Sequence, residues 1–511
     1  MNIALKNAGE VIKETIRGLN WEIWLAILVL MIAQWPIWAY LSQPPIFIFD
    51  EAIYALNALD MYLSGDPIVL TRGGELTYFN TKPPLVIWLQ AMSIGMFGAN
   101  EFAIRFPSAI AASVTCITIL VFSKYTLQDI RIGIVSILIL VTSYGYIRPH
   151  VTRTGDLDSV LVCFITIYVC SVLHFILAKA KNETRAIWIA GIAATAAFYA
   201  KSVAAFFPLP GLLLSALVAK RASRLFKIRA TYQAAFMLVF ACGMYYVVRE
   251  FMSPGYLRVV LYSEYSRYVN NIMPWNAHPV SFYVSNLVDA GFFTPYAYAL
   301  PLCIAIGIMS KKYRLATIVI TLLIISYLGV ISYPIVKLEW YDAALYPFYS
   351  LLCGLGLISI LGLIEKRMPR FRFGFPVILL LIFYFPFVAI ADKNKSRTGI
   401  NNAYEREGYT IRKLRDEQPE LNSYNLLLTH RQNAHYTQVE FYINSYHDYQ
   451  GYDIKLMKSY RFASIGDTIL CCRPETIDSL EEKFVLQTIY ANDVHCRLLV
   501  VDSTRAASVP D

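Results

Sequence analysis

The chain is poor in charge: 16% of its 511 residues are Asp, Glu, Lys or Arg, against about 25% in an ordinary soluble domain. With 57% hydrophobic residues and a mean hydropathy of +0.48, that shortage excludes the usual soluble globular class. Cysteine is scarce as well, nine in the whole length, which excludes a disulfide-stapled miniprotein. An aromatic content of 14% excludes disorder. There is no internal repeat, low-complexity tract, Walker A sequence or dinucleotide fingerprint, and this argues against an ATP-driven pump. What is left is a polytopic membrane protein. The net charge of +9 then reads as basic residues gathered in cytoplasmic loops, not as a nucleic-acid surface.

Apolar runs able to cross roughly 30 Å of hydrocarbon lie at 21–41, 107–123, 132–147, 159–178, 187–200, 203–219, 232–249, 292–309, 315–333, 343–363 and 374–391. They predict eleven crossings, within a range of eleven to thirteen. The first follows Lys6, Lys13 and Arg17 and ends in Ser42-Gln43-Pro44-Pro45, so it is expected to be a retained helix with a cytoplasmic amino terminus. The apolar stretch 84–98 is too short to span and is assigned to the interface. The basic groups Lys124/Arg131, Lys179/Lys181/Arg185, Lys220 to Arg229, Lys311/Lys312/Arg314 and Lys366 to Arg372 then fall on one side, as the positive-inside rule requires. The other side receives loops 42–106 and 250–291, a short loop at 148–158, and everything after 391. The expected organisation is a membrane domain, 1–391, and a small soluble α/β domain, 392–511. In the latter, strands are expected at 425–429, 468–472 and 497–501 and helices at 404–416 and 474–484.

The chemistry-bearing residues collect in the loops of that second side. Asp50 and Glu51 open a segment, 50–64, whose spacing predicts an amphipathic interfacial helix carrying Tyr54. Glu51 reads as a helix-stabilising acid, whereas Asp50 reads as functional, because ionisable groups at membrane depth are costly. Tyr78 precedes Lys82-Pro83-Pro84, where the lysine either snorkels to lipid phosphate or binds substrate. Arg153, Asp156 and Asp158 crowd one short loop, as a structural ion pair or as part of a site. Lys201 sits at the tip of an apolar hairpin and needs an anionic partner. Lys337 and Tyr341 add a further cluster, and loop 250–291 supplies Arg258, Glu264, Arg267 and His278. Lysine as a point charge and arginine as a bidentate clamp together suit an anionic phosphate headgroup. The cysteines at 116, 163, 170, 242, 303 and 353 read as small apolar residues, and Cys496 can bridge to either Cys471 or Cys472.

In order and spacing, these residues resemble the bacterial lipid-linked-sugar glycosyltransferases of the GT-C fold, which include the aminoarabinose transferase of lipid A and the protein O-mannosyltransferases. The resemblance runs from about 46 to 391. It rests on Asp50-Glu51-Ala52 with Tyr54, Lys82-Pro83-Pro84-Leu85, Gly98 to Phe102 leading to Arg105-Phe106-Pro107-Ser108, Arg153 to Asp158, Lys201, and Lys337 with Tyr341 and Pro347. It implies an α-helical polytopic GT-C protein of the bacterial inner membrane, with its active site and carboxy-terminal α/β domain on the periplasmic face. The implied reaction moves a sugar from a polyprenyl-phosphate donor to an extracytoplasmic lipid, glycan or protein, with inversion and without nucleic acid. Asp50 matches the family's catalytic aspartate and Lys82 a lysine that contacts the donor phosphate. Lys201, Arg153 and Lys337 extend that phosphate-binding set. Glu51, Tyr54, Tyr78, Asp156, Asp158, His278 and Tyr341 are assigned to substrate or to structure.

The chain departs from the pattern at Ile53, where aminoarabinose transferases carry Arg, and at Thr81, where they carry Glu. The histidine that the family associates with a metal aligns nearer Asn276 than His278. No cofactor is called for, and a divalent metal is left open, since one histidine among scattered carboxylates lacks zinc-site spacing. Two alternatives stand beside this reading: a ligase or polymerase using a diphosphate-linked donor, and a lipid transporter. The transporter is disfavoured by the gathering of charges at one face and by the lack of a repeat.

Overall fold

A computed structural model describes residues 21–78, 80–178, 182–269, 274–400, 403–428 and 437–505. Lys6, Lys13, Arg17, Lys179 and Lys181 lie outside the described residues, as does the side chain of Arg267. The membrane part begins with α1 (Trp21–Trp38). The first long loop holds α2 (Asp50–Ser64), a hairpin of β1 (Thr71–Arg72) and β2 (Glu75–Leu76), and α3 (Leu85–Phe97). Then come α4 (Glu101–Tyr125), α5 (Ile130–Val141), α6 (Asp158–Leu177), α7 (Glu183–Lys201), α8 (Leu209–Val218) and α9 (Arg229–Met252). α10 (Tyr256–Val269) occupies the second long loop, and α11 (Tyr296–Met309), α12 (Arg314–Ser332), α13 (Tyr346–Arg367) and α14 (Phe375–Ser396) follow.

Eight of these helices, α1, α4, α6, α7, α9, α12, α13 and α14, are long and apolar enough to cross a membrane. The apolar but shorter α5, α8 and α11 stand at the three other positions where crossings were expected. At one end of the bundle, Arg131 at the start of α5 pairs with Asp129 and with Glu365 near the end of α13, and Arg372 pairs with Glu22 at the start of α1. Two of the loops carrying the expected basic groups, 124–131 and 366–372, thereby lie together at one end. Asp50, Lys82, Asp158 and Lys201 lie at the other.

Beyond α14 come α15 (Arg406–Glu417), β3 (Ser423–Leu427), α16 (Thr437–Gln450), β4 (Asp453–Met457), β5 (Thr468–Cys471), β6 (Phe484–Ala491) and β7 (Arg497–Thr504). The strands form one sheet in the order β4-β3-β5-β7-β6, parallel from β4 to β5 and antiparallel beyond. β4, β6 and α16 were not expected. The two strands are edges with several exposed side chains, so neither carries the continuous apolar run that marks β3, β5 and β7. Cys472 bonds to Cys496, and Cys471 is a buried free thiol.

α2 differs from its expected interfacial position. It is buried along nearly its whole length, from Glu51 to Met61, because α16 of the carboxy-terminal domain covers the side that would have faced water. What fixes its amino terminus is a buried ion pair. Arg105 of α4 donates through Nε to Glu51 Oε1 at 2.7 Å and through Nη2 to Glu51 Oε2 at 2.8 Å. The same guanidinium reaches the carbonyls of Leu41, Pro44 and Pro45. Glu51 also accepts from the backbone N–H of Phe47 and of Gly155. Gly155 has to be glycine, since a Cβ there would lie 2.8 Å from the Ile104 carbonyl oxygen. The pair is therefore fully hydrogen-bonded, the condition under which buried charges are tolerated.

Replacing Arg105 with alanine strands the Glu51 charge in the interior. The expected loss is about 3–5 kcal/mol, read as a lowered midpoint in thermal unfolding of the detergent-purified protein. An unchanged midpoint would contradict the pairing.

Candidate active site

Two lysines converge on one cleft. Lys82 is held at the mouth of α3 by local chemistry: Pro83 and Pro84 restrict the chain, and Lys82 N–H donates to Asn80 Oδ1 at 3.1 Å. The loop is tied to the second long loop by Tyr256, whose hydroxyl donates to the Thr81 carbonyl at 2.8 Å, and by Tyr78, whose hydroxyl donates to the Pro254 carbonyl at 3.1 Å. These ties bring Glu264 of α10 against Lys82 Nζ. Lys201, the last residue of α7, donates to both oxygens of Asp158 at 2.6 Å, and its ammonium lies 5.6 Å from the Tyr341 ring centre. Lys82, Glu264, Lys201, Asp158 and Tyr341 all line the same cleft, which has about 640 Å³ of empty space and apolar walls that include Leu161, Val203, Phe207 and Ile331.

Beside this cleft lies a cluster that the sequence did not single out. Asp50, His150 and Asp156 each offer a ligand atom, and these atoms lie within 4.8 Å of one another. Asp156 accepts from the Thr154 hydroxyl and faces His150 Nδ1 at 3.4 Å. Burial works against a charged imidazole, but the carboxylates of Asp156, Asp50 and Asp158 outweigh it and hold His150 above its ordinary range. Burial likewise works against the Asp156 carboxylate, and His150, Thr154 and Lys201 outweigh it and hold Asp156 below the usual range. Asp158 thus bears on His150 and Lys201 on Asp156, which sets this cluster next to the lysine cleft. The His150 ring is fixed by stacking on Trp340, with centres 3.9 Å apart, and by the edge contact with Phe47. Two carboxylates and an imidazole are a donor set that fits a divalent cation. The histidine position that the resemblance associates with a metal does not fit one: Asn276 stands there, and the nearby His278 ring stacks on Phe282 at 4.0 Å.

Lys337 and His278 belong to a neighbouring cleft, lined also by Arg148, His150, Trp340 and Arg397. Lys337 is buried, and its ammonium donates to the carbonyls of His278 and Pro334. Arg153 is not brought into the lysine cleft. Its guanidinium donates to the carbonyls of Pro36, Ile37 and Ala39 and so caps the carboxy-terminal end of α1. Burial, with Arg105 and Arg397 nearby, lowers its pKa to about 10. Nor does Arg153 pair with Asp156 or Asp158, whose partners are His150 and Lys201. Glu51 is consumed by Arg105, and Tyr78 by the second loop. Tyr54 packs between the two hydrophobic cores of the membrane domain and the outer region.

His150 was not among the expected site residues, and Glu264, expected only as one charge of the second long loop, is the partner of Lys82. The available signal was modest: a histidine following a proline in a loop already crowded with carboxylates, and an acid in the loop opposite Lys82. Lys201→Met leaves Asp158 buried without its partner and is expected to destabilise by about 3–5 kcal/mol. Adding Asp158→Asn should recover most of that loss. Thermal unfolding of the two single variants and the double variant checks this, and additive losses would contradict a direct pair.

Residues 81–248 match the model of the family described as dolichyl-phosphate-mannose-protein mannosyltransferase. An uncharacterized protein of Aquifex aeolicus is 23% identical over 251 residues, 49% of this chain and 47% of that protein. An undecaprenyl phosphate-alpha-4-amino-4-deoxy-L-arabinose arabinosyl transferase of Edwardsiella ictaluri is 30% identical over 122 residues, 24% of this chain and 21% of that protein. The chain thus spans less than half the length of these relatives. Among solved structures, ArnT from Cupriavidus metallidurans bound to undecaprenyl phosphate superposes with a TM-score of 0.64 at 13% identity, covering 96% of this chain and 99% of that one. The same protein in the apo state gives a TM-score of 0.61 at 12% identity over 94% of this chain and 97% of that chain. The chain is a multi-pass membrane protein with the GT-C fold and a small carboxy-terminal sheet domain, and it resembles the lipid-linked-sugar glycosyltransferases built on that fold.

Proposed function

We propose that the protein is an integral-membrane glycosyltransferase that moves a sugar from a polyprenyl-phosphate donor to an acceptor outside the cytoplasm. The observation that carries this reading is the pairing of two lysines, the buried Lys82 and the partly buried Lys201, with carboxylates inside one apolar-walled cleft beside Asp50. A cleft of that kind offers hydrocarbon contact for a lipid chain and two point charges for its phosphate. Glu264 and Asp158 hold the ammonium groups in place, and an incoming phosphate would compete for them. The family match, over 81–248, spans both lysines. The basic residues at the opposite end of the bundle support placing the cleft on the non-cytoplasmic side.

The chemistry is a single displacement. The acceptor hydroxyl oxygen attacks the anomeric carbon and forms the new glycosidic bond. The bond from that carbon to the phosphate oxygen breaks, and its electron pair leaves with the polyprenyl phosphate. Asp50 takes the hydroxyl proton as general base. Lys82 and Lys201 stabilise the charge that develops on the leaving phosphate. One displacement inverts the anomeric centre. His150 and Asp156 hold the immediate surroundings of Asp50. A divalent cation held by that trio would add positive charge beside the reacting centre. Lys337 lies one cleft away, where it would serve the sugar or acceptor side, and Arg153 has no part in the donor site.

Asp50→Asn should lower transfer by at least about 10²-fold, scored by mass spectrometry of envelope glycans, lipids and proteins from a deletion strain carrying the variant. Binding of undecaprenyl phosphate to the purified variant should persist. Lys82→Ala should weaken both transfer and binding. Full transfer by the Asp50→Asn protein would overturn the catalytic assignment.

A further inference from the structure

The segment that delivers Asp50 to the site is held from two sides. Between 41 and 47 every residue has a backbone group engaged by a side chain. From the membrane domain, Arg105 takes the carbonyls of Leu41, Pro44 and Pro45, and Glu51 takes the N–H of Phe47. The remaining groups are taken by the carboxy-terminal domain. Arg412 of α15 donates to the carbonyls of Ser42 and Gln43, at 3.3 and 2.6 Å. Gln438 of α16 donates through Nε2 to the Ile46 carbonyl. The Tyr442 hydroxyl accepts from Ile46 N–H at 2.9 Å and donates to Glu101 Oε1 at 2.7 Å, and that same carboxylate oxygen pairs with Arg412 at 2.9 Å.

A second, independent feature lies at the end of this segment. Phe49, immediately before Asp50, has φ of +69°, a left-handed conformation that a bulky residue adopts at a cost. Such strain persists only where the surroundings over-determine the backbone. Gln438 and Tyr442 engage both polar groups of Ile46, three residues before the strained position, and both side chains are themselves buried. The α15 helix fits tightly against them: a Cβ at Gly408 would lie 2.7 Å from Gln438 Oε1 and 2.8 Å from the Tyr442 ring.

Building on the function proposed above, we propose that Gln438 and Tyr442 are positioning residues for Asp50, so that the carboxy-terminal domain completes the active site without touching the reacting atoms. They anchor Ile46, Ile46 sets the strained turn at Phe49, and the turn aims the first residue of α2. Loosening the anchor lets Phe49 relax and moves the base away from the acceptor oxygen.

The test uses the full-length protein and four variants, Tyr442→Phe, Gln438→Ala, Asp50→Asn and, as a control, Glu440→Gln. Glu440 lies on the same helix and pairs with Arg72 of the outer hairpin without touching 41–47. Three quantities are read: envelope product formed in the deletion strain per folded molecule, affinity for undecaprenyl phosphate, and backbone hydrogen exchange over 46–53. Tyr442→Phe and Gln438→Ala should each reduce transfer by about tenfold or more and speed exchange over 46–53, with affinity for undecaprenyl phosphate unchanged. Glu440→Gln should leave transfer and that exchange as in the parent. An equal loss in Glu440→Gln would mean that domain docking in general, not the Ile46 anchor, is what matters, and would overturn the proposal. Parent-like transfer in both anchor variants with an inactive Asp50→Asn would also overturn it. An active Asp50→Asn would instead sink the function on which it rests.

Discussion

The outer end of this protein depends on one buried ion pair, Glu51 with Arg105. It joins four pieces of chain: the exit from α1, the start of α2, the second turn of α4 and the 155 loop. The pair is tolerable because every strong acceptor on Glu51 and all three guanidinium nitrogens of Arg105 are used, several on backbone groups that would otherwise be buried unmet. Its functional consequence is indirect. Asp50 is the neighbour of Glu51, and Asp156 and Asp158 follow Gly155, so one interaction sets the spacing between the first-loop carboxylate and the carboxylates of the third outer element.

Around that anchor, charge is distributed by the same rule: a buried charge needs a partner. The lysine cleft obeys it with Glu264 and Asp158, the cluster around Asp50 obeys it with His150, and Arg153 and Lys337 obey it with backbone carbonyls. The kind of partner separates their roles. A carboxylate partner is a mobile anion that a phosphate can replace with little loss, because charge meets charge before and after. A set of carbonyls at the end of a helix is part of the scaffold, and taking the guanidinium of Arg153 from α1 would leave those carbonyls exposed to the interior. Lys82 and Lys201 are therefore the pair suited to exchange ligands, whereas Arg153 is not.

Much of this was legible in the sequence. Eleven apolar runs correspond to eleven helices because hydrocarbon burial is a length and composition constraint that a single chain displays directly. Lys82 and Lys201 stood out since a lysine in an apolar setting demands an anion. The reading went wrong where the answer lay on a distant segment. α2 looked amphipathic because its covering helix, α16, comes almost 400 residues later. Arg153 read either as half of an ion pair or as a phosphate-binding residue because sequence shows charges but not the bare carbonyls at a helix end. His150 carried no spacing signal, since Asp50 joins it and Asp156 only after the first and third outer elements fold together. The choice between Cys471 and Cys472 depended on the β5–β7 register, which sets Cys471 opposite Arg497 and so brings Cys472 to Cys496, something adjacent cysteines do not reveal.

The central claim is that the cleft between Lys82 and Lys201 receives the phosphate of a polyprenyl lipid. It is tested most directly by a structure of the protein in lipid nanodiscs with undecaprenyl phosphate added. Phosphate density is expected between the two ammonium groups, with Glu264 or Asp158 displaced from its lysine and the lipid chain along Leu161, Val203 and Phe207. Phosphate density elsewhere, with both lysine–carboxylate pairs intact, would contradict it.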